Sequence, residues 1–145
     1  MRVLVDTNIL LRSAQPNHPL CRPATRAVAK LIRQGESVFF YPQNIAEFWN
    51  VATRPIALNG LGMSPEEAAR EIGDIERSLT LLPDVPAIYD TWKRIVTLHR
   101  VLGVQVHDAR LVAVMTVYGL ESILTFDVSD FARYGSIAVH PSLVA

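Results

Sequence analysis

Val3-Leu4-Val5-Asp6-Thr7-Asn8-Ile9-Leu10-Leu11 is the stretch from which the rest of the chain is read. The β-branched and leucine run is too short for a helix and stops at a polar triplet. Apolar spacing then resumes at Ile9, which is the pattern of a buried strand feeding a helix. Pro16 and Pro19 break that helix. Outward from here the same alternation repeats. A helix fits Arg22 to Gln34, with Ala24, Ala27, Val28, Leu31 and Ile32 on one face and Gly35 at its C-terminal cap. Val38-Phe39-Phe40-Tyr41 is a second strand, and Pro42 opens a helix that runs through Thr53 and is stopped by Pro55. After the loop Asn59-Gly60-Leu61-Gly62, Ser64-Pro65-Glu66-Glu67 forms a reciprocal capping box for a helix to about Ser78.

Leu79 to Leu82 is a weak strand before Pro83, Ile88 to Leu102 reads as a long helix ended by Gly103, and His107 to Tyr118 as another ended by Gly119. Ser122 to Thr125 is a short strand, Asp130 to Tyr134 a helical turn, and Ile137 to Val139 a last strand. Strands alternating with helices predict an α/β fold, a three-layer α/β/α arrangement with a central parallel sheet of four to five strands.

The bulk properties narrow the class. With 145 residues, half of them hydrophobic, the expectation is one domain over residues 1–145. A chain of this size buries roughly 68 to 70% of its unfolded surface, enough for a core without disulfides. The lone Cys21 can form no internal bridge, and a reducing, cytoplasmic setting is expected. The run Val3 to Val5 is too short for a signal h-region, and no stretch approaches the ~18 apolar residues of a membrane span. Fourteen basic residues balance fourteen acidic ones, which argues against a protein that coats nucleic acid by bulk charge. Twelve of the basic residues are arginine, only Lys30 and Lys93 being lysine.

In a parallel sheet, ligand sites form along the carboxyl edge of the strands. That edge gathers four separated acids. Asp6 directly follows the first strand, Glu47 lies in the first two turns after the second, and Asp127 follows the Ser122 to Thr125 strand. The helix carrying Asp108 at its start runs antiparallel to that strand, so its N-terminus returns to the same edge. Each acid also has a purely structural role open to it. Asp6 can cap the helix after it, Asp108 can favour a helix N-terminus through the macrodipole, and Asp127 can be an ordinary turn residue. Glu47 is harder to explain that way, being flanked by Ile45, Ala46, Phe48 and Trp49, while Asn44 shares its helix face.

Clustered carboxylates repel one another unless a cation joins them. Among abundant ions an all-oxygen site suits Mg²⁺, Mn²⁺ or Ca²⁺, and a catalytic one favours Mg²⁺ or Mn²⁺, which can polarise a phosphodiester and orient water without a His or Lys base. Leaving the four acids out of the count gives 14 basic against 10 acidic residues, a mildly RNA-attracting +4 elsewhere.

Taken together, Asp6-Thr7-Asn8 after an N-terminal strand, Asn44-Ile45-Ala46-Glu47-Phe48, His107-Asp108-Ala109 opening a helix, and Thr125-Phe126-Asp127-Val128-Ser129-Asp130-Phe131 resemble a PIN domain, from residue 1 to about 140. More narrowly, the chain resembles the VapC-type toxins of type II toxin-antitoxin systems. The resemblance implies a PIN-like fold and a Mg²⁺- or Mn²⁺-dependent endoribonuclease that hydrolyses RNA, is usually a homodimer, and is inhibited by a cognate antitoxin. It makes Asp6, Glu47, Asp108 and Asp127 the catalytic, metal-binding acids, with Asp130 a further metal ligand and Thr7 and Asn44 in support. In many relatives the first of the last two acidic positions is Asn; here both are Asp, and Asp127, nearer the strand end, ranks first. A catalytically silent PIN-like module that binds RNA or a protein is the alternative. A receiver domain also places Asp residues and Mg²⁺ at such an edge, but it needs a late lysine, and this chain has none after Lys93.

Elsewhere ordinary roles are expected. Trp49 and Trp92 read as core or interface, His99 and His140 as structural, and Cys21 as a packed small side chain. His107 is a possible helix cap. Arg12, Arg54, Arg110 and Arg133 read as solvated arginines that could instead meet phosphate.

Overall fold

The computed structural model describes residues 1–144 and contains five strands and six α-helices joined by short 3₁₀ turns. In chain order these are β1 (Arg2–Val5), α1 (Thr7–Ser13), α2 (Cys21–Arg33), β2 (Ser37–Phe40), α3 (Pro42–Thr53), α4 (Pro65–Ser78), β3 (Thr80–Leu81), α5 (Pro86–Leu98), α6 (Val106–Tyr118), β4 (Ser122–Leu124) and β5 (Ile137–Val139). All four strand pairings are parallel, in the order β3-β2-β1-β4-β5. The carboxyl ends of the strands therefore line one edge. The chain builds outward from β1 to β2 and β3, then returns to the other side for β4 and β5. The gap between β1 and β4 is thus the topological switch point, where such sheets open a crevice.

Alternation along the central strands explains why both faces are covered. Val3 and Val5 join Val38, Phe40 and Leu124 in one core with residues of α1 to α4, while Leu4 and Ile123 point the other way into a second core with Leu111, Val114 and Ile88 of α6 and α5. α6 is buried without interruption from Leu111 to Met115, as a helix apolar on all sides must be. The predicted capping box forms, with the Ser64 hydroxyl accepting the Glu67 amide at 3.1 Å and Glu67 reaching back to Ser64.

The differences from the sequence reading are local. Tyr41 is not the end of β2 but the cap residue of α3. α5 starts at Pro86 and stops at Leu98, four residues short of the expected Leu102. Arg100 adopts φ 51°, in the left-handed region, which turns the chain out of the helix before Gly103 is reached. The 3₁₀ turns at Ile56–Leu58, Gly103–Gln105 and Pro141–Leu143 carry no sequence periodicity and were not expected. No described helix is long and apolar enough to cross a membrane.

Candidate metal centre

Asp6 sits where β1 becomes α1. Its backbone N–H still belongs to the sheet, donating to the Leu124 carbonyl at 2.9 Å, while its side chain caps α1 by accepting the Thr7 amide at 2.7 Å. The structural role open to Asp6 is therefore real, and only one carboxylate oxygen is used for it. Oδ2 accepts the Thr125 hydroxyl at 2.8 Å and, more weakly, the Asn8 amide at 3.4 Å. Asn8 also donates to Asp127 at 3.1 Å and to Thr125 Oγ1 at 3.2 Å, and Thr125 Oγ1 accepts the Asp127 amide at 2.9 Å. The Thr125 hydroxyl thus gives one hydrogen bond and takes two, its full capacity. These bonds span the switch point and fix Asp6 and Asp127 to one rigid frame.

A second chain of bonds positions Glu47. Asn44, wholly buried, accepts the Tyr41 amide at 2.8 Å and donates to the Thr7 hydroxyl at 3.1 Å. Thr7 then donates to Glu47 Oε1 at 2.9 Å. Gln43, one turn before Glu47 on the same face of α3, donates to Glu47 at 3.4 Å and to the His107 carbonyl at 2.9 Å. Thr7 and Asn44 thus stand in one hydrogen-bonded chain with Glu47, and Gln43 joins α3 to the start of α6. His107 contributes its carbonyl and not a helix cap, because α6 begins at Val106 without any side-chain cap.

Asp108, in the first turn of α6, and Asp130, in the 3₁₀ turn Val128–Tyr134, accept no side-chain hydrogen bond among the described residues. Their electrostatic coupling nevertheless places them with the others. Burial pushes Asp6 up to about 7, helped by the charges of Asp108 and Glu47 and opposed by the bonds from Thr125 and Thr7. Burial also pushes Asp108 up to about 6, with repulsion from Asp130, Glu47 and Asp127 in that order. Asp130 acts on Asp108 more strongly than Asp127 does, whereas Asp127 alone is tied to the Asn8 frame. Among the described residues the ion pairs are Met1 with Glu36 and Arg77 with Asp74, so no cationic side chain neutralises the five acids.

These residues fit a hard divalent cation by donor type: oxygen donors from carboxylates, two of them, Asp6 and Asp108, held back from ionising by burial and by neighbouring acids. The side chain of Gln43, 8% exposed, also leaves Oε1 without a partner beside Glu47. Among the described residues no three acidic or histidine side chains close into a ready cage, so an ion would have to draw the carboxylates inward. An apolar cleft of about 340 Å³ between α1, α2 and α4 lies apart from this edge and includes none of the five acids in its lining.

Sequence reading named all five acids, Thr7 and Asn44. Thr125, Asn8 and Gln43 complete the frame. The first two stand inside the quoted motifs, and Gln43 was detectable only from its i−4 spacing to Glu47.

Similar structures share this fold over nearly the whole chain. A chain of VapBC2 from Rickettsia felis, in a complex with a DNA fragment from its promoter, superposes with TM-score 0.74 at 12% identity, covering 97% of this chain and 98% of that one. The VapC20 toxin of Mycobacterium tuberculosis, described as cleaving the sarcin-ricin loop, gives 0.72 at 16% identity, covering 94% and 98%. VapBC-1 of nontypeable Haemophilus influenzae gives 0.72 at 14% identity, covering 98% and 99%. Among the curated proteins none matches this sequence. The PIN domain family model matches residues 3–137, so that its span takes in β1, the acid-bearing edge and the start of β5; the chain belongs to the PIN domain family.

Proposed function

We propose that this PIN domain is a Mg²⁺- or Mn²⁺-dependent endoribonuclease, the VapC-type toxin of a toxin-antitoxin pair. The observation that carries this reading is the set of five acids at the sheet's switch point, two with strongly raised pKa values and, among the described residues, none paired to a cationic side chain. Such a set is costly in a purely structural role. Similarity to VapBC and VapC proteins adds support, one of which is described as a toxin that cleaves the sarcin-ricin loop.

Asp6, Glu47, Asp108 and Asp127 would hold the cation, with Asp130 beside them. The ion would supply Lewis-acid polarisation of a phosphodiester and lower the pKa of a bound water. The chain supplies the rest. Thr125 and Asn8 keep Asp6 and Asp127 in register, Thr7 and Gln43 hold Glu47, and no arginine among the described residues is paired with these carboxylates, which leaves them for a cation. Leaving out Asp6, Glu47, Asp108 and Asp127, the chain carries a net +4, which favours approach of an RNA phosphate once the site is neutralised.

The remaining partners follow this reading. A cognate antitoxin would cover the acidic edge, and the protein would act in the cytoplasm as a homodimer. Leu98, Leu102 and Val104, close in sequence at and just after the end of α5, are 77%, 78% and 82% exposed, apolar surface that a second copy would bury.

The test is cleavage of unstructured RNA with Mn²⁺, with and without chelator, alongside thermal melts. Metal-dependent cutting lost on chelation supports the reading. Absence of both cutting and Mn²⁺-dependent stabilisation would instead support the silent binding module.

A further inference from the structure

We infer that Arg133 is a substrate-binding residue that holds an RNA phosphate one linkage away from the one at the acids. The inference rests on the ribonuclease reading and deepens it, setting beside the acidic edge the positive group that a polyanionic substrate needs there.

Its place follows from the geometry of one short element. In the 3₁₀ turn Val128–Tyr134, side chains three apart eclipse and the axis rises about 2 Å per residue. Phe131, fully buried, and Tyr134 therefore form an inward ridge, packed in the core with Leu111 of α6. Asp130 and Arg133 form the next ridge, both exposed and about 6 Å apart along the axis. An acid and an arginine so placed are ready to pair, yet they do not: the ion pairs among the described residues are Met1 with Glu36 and Arg77 with Asp74. The guanidinium turns instead to two neutral acceptors from the segment between α5 and α6. One of its terminal nitrogens donates to the His99 carbonyl at 3.4 Å and the other to the side-chain oxygen of Gln105. Its carbon stands over the Tyr134 ring, 5.5 Å from the centroid, and the His99 ring meets Tyr134 edge-on at 5.1 Å.

Held this way, the arginine is fixed but not neutralised. A carboxylate partner would cancel its charge, whereas a carbonyl and an amide oxygen orient it and leave the charge in place. Two bonds also leave three of the guanidinium's five N–H donors for a ligand, enough for the paired contact by which arginine takes phosphate oxygens. The acids are near. Burial raises the Tyr134 hydroxyl, Arg133 lowers it and the Asp108 charge raises it again, so the guanidinium and an acid of the site both act on one ring. Other arginines read as solvated are occupied differently. Arg12 donates to Gln15 at 2.9 Å, and Arg110 lies beside the Tyr41 hydroxyl, which donates to Asp84 at 2.7 Å.

Binding is read by fluorescence anisotropy on an unstructured RNA with Mn²⁺, in an Asp108→Asn background where cutting is too slow to consume the RNA. Arg133→Gln should weaken binding about three- to tenfold and make the fall of log affinity with log salt shallower by about 0.7, the share of one phosphate on a single strand. Arg133→Lys keeps the charge and should keep the slope, which separates lost charge from lost folding. Replacing single phosphates by uncharged methylphosphonates locates the contact. One linkage next to the cut made by wild type should matter with Arg133 present and cease to matter in Arg133→Gln. In the cutting enzyme the same variant should raise KM and leave kcat, as loss of uniform binding does. A role confined to stitching the turn to His99 and Gln105 would lower the melting temperature and leave the salt slope and the methylphosphonate pattern unmoved. That result overturns the inference while the nuclease stands. An Arg133-dependent linkage in a protein whose wild type never cuts RNA overturns the nuclease reading and keeps the phosphate contact. Neither cutting nor an Arg133-dependent linkage removes both.

Discussion

Asp6 and Thr125 lie 119 residues apart and meet through a 2.8 Å hydrogen bond from the threonine hydroxyl to Oδ2 of the carboxylate. That bond joins β1 to the segment after β4 at the switch point and opposes the burial that drives Asp6 toward its neutral form. The Thr125 hydroxyl also takes bonds from Asn8 and from the Asp127 amide, so three groups depend on it.

Thr125→Val, nearly the same shape without the hydroxyl, should therefore destabilise the fold by about 1–3 kcal/mol, the usual cost of leaving buried polar groups short of a partner. It should also weaken Mn²⁺ binding, because Asp6 loses a bond that favours its charged form. Calorimetric melts with and without Mn²⁺ separate the two effects. An unchanged Mn²⁺-induced rise in Tm would mean that Thr125 is a scaffold residue with no influence on the site.

Asp6→Asn and Asp108→Asn should both fold. Each removes a charge that the apo site disfavours; relief of repulsion should raise apo stability in the Asp108 variant, whose carboxylate accepts no side-chain hydrogen bond among the described residues, whereas in the Asp6 variant that gain is offset by the bond from Thr125 or Thr7 that one amide oxygen cannot keep. Cleavage should drop by at least two orders of magnitude. Near wild-type cutting with Mn²⁺ in both variants would remove these residues from the metal centre.

The raised pKa values set a pH dependence with a definite sign. Asp6 titrates near 7 and Asp108 near 6 in the fold, against 3.8 for an ordinary aspartate. The folded protein thus binds more protons than the unfolded chain between about pH 4 and 7, and metal-free stability must fall as pH rises through that window. A divalent ion binds the deprotonated form, so its stabilising effect should be small at pH 5 and large at pH 8. Chelated melts that stay flat from pH 4 to 8 would contradict the burial of these carboxylates.

The fold was legible because its signals are local and strong. Val3-Leu4-Val5 ending in Asp6, Pro42 at a helix start and the Ser64–Glu67 capping box each mark a boundary without tertiary help. The end of α5 was not legible. Gly103 is the obvious stop, but Arg100 turns first, and nothing in its side chain announces a left-handed backbone. At the site, the acids could be gathered from topology alone, since each follows a strand or opens the helix before one. The neutral frame could not. Thr125 and Asn8 matter through contacts made only once β4 lies beside β1, and the cluster of Arg110, Tyr41 and Asp84 forms only when α6 packs near the ends of β2 and β3.

A homodimer is expected in solution through the apolar surface of Leu98, Leu102 and Val104, each more than three-quarters exposed in the single chain. Replacing Leu98 and Leu102 by Glu should shift the sedimentation of a 32 kDa-class particle toward the 16.1 kDa chain without lowering the melting temperature of the monomer, since neither side chain packs in the core. A wild type that sediments as a monomer at micromolar concentration would leave this surface for another partner.

Inhibition by an antitoxin should act through the same charges that are proposed to bind metal. Five acids on one edge, with no ion-pair partner among the described residues, form a strong attractor for a guanidinium, which can contact two carboxylate oxygens at once in a partly buried cleft. An arginine of the antitoxin is expected to sit among Asp6, Glu47, Asp108 and Asp127 and to neutralise them in place of the cation. Because the two occupants exclude each other, raising Mn²⁺ should weaken inhibition by a short antitoxin peptide, and replacing its arginine by alanine should abolish most of it. Inhibition indifferent both to Mn²⁺ and to every arginine of the peptide would mean that the partner blocks RNA approach at a distance and leaves the carboxylates as they stand.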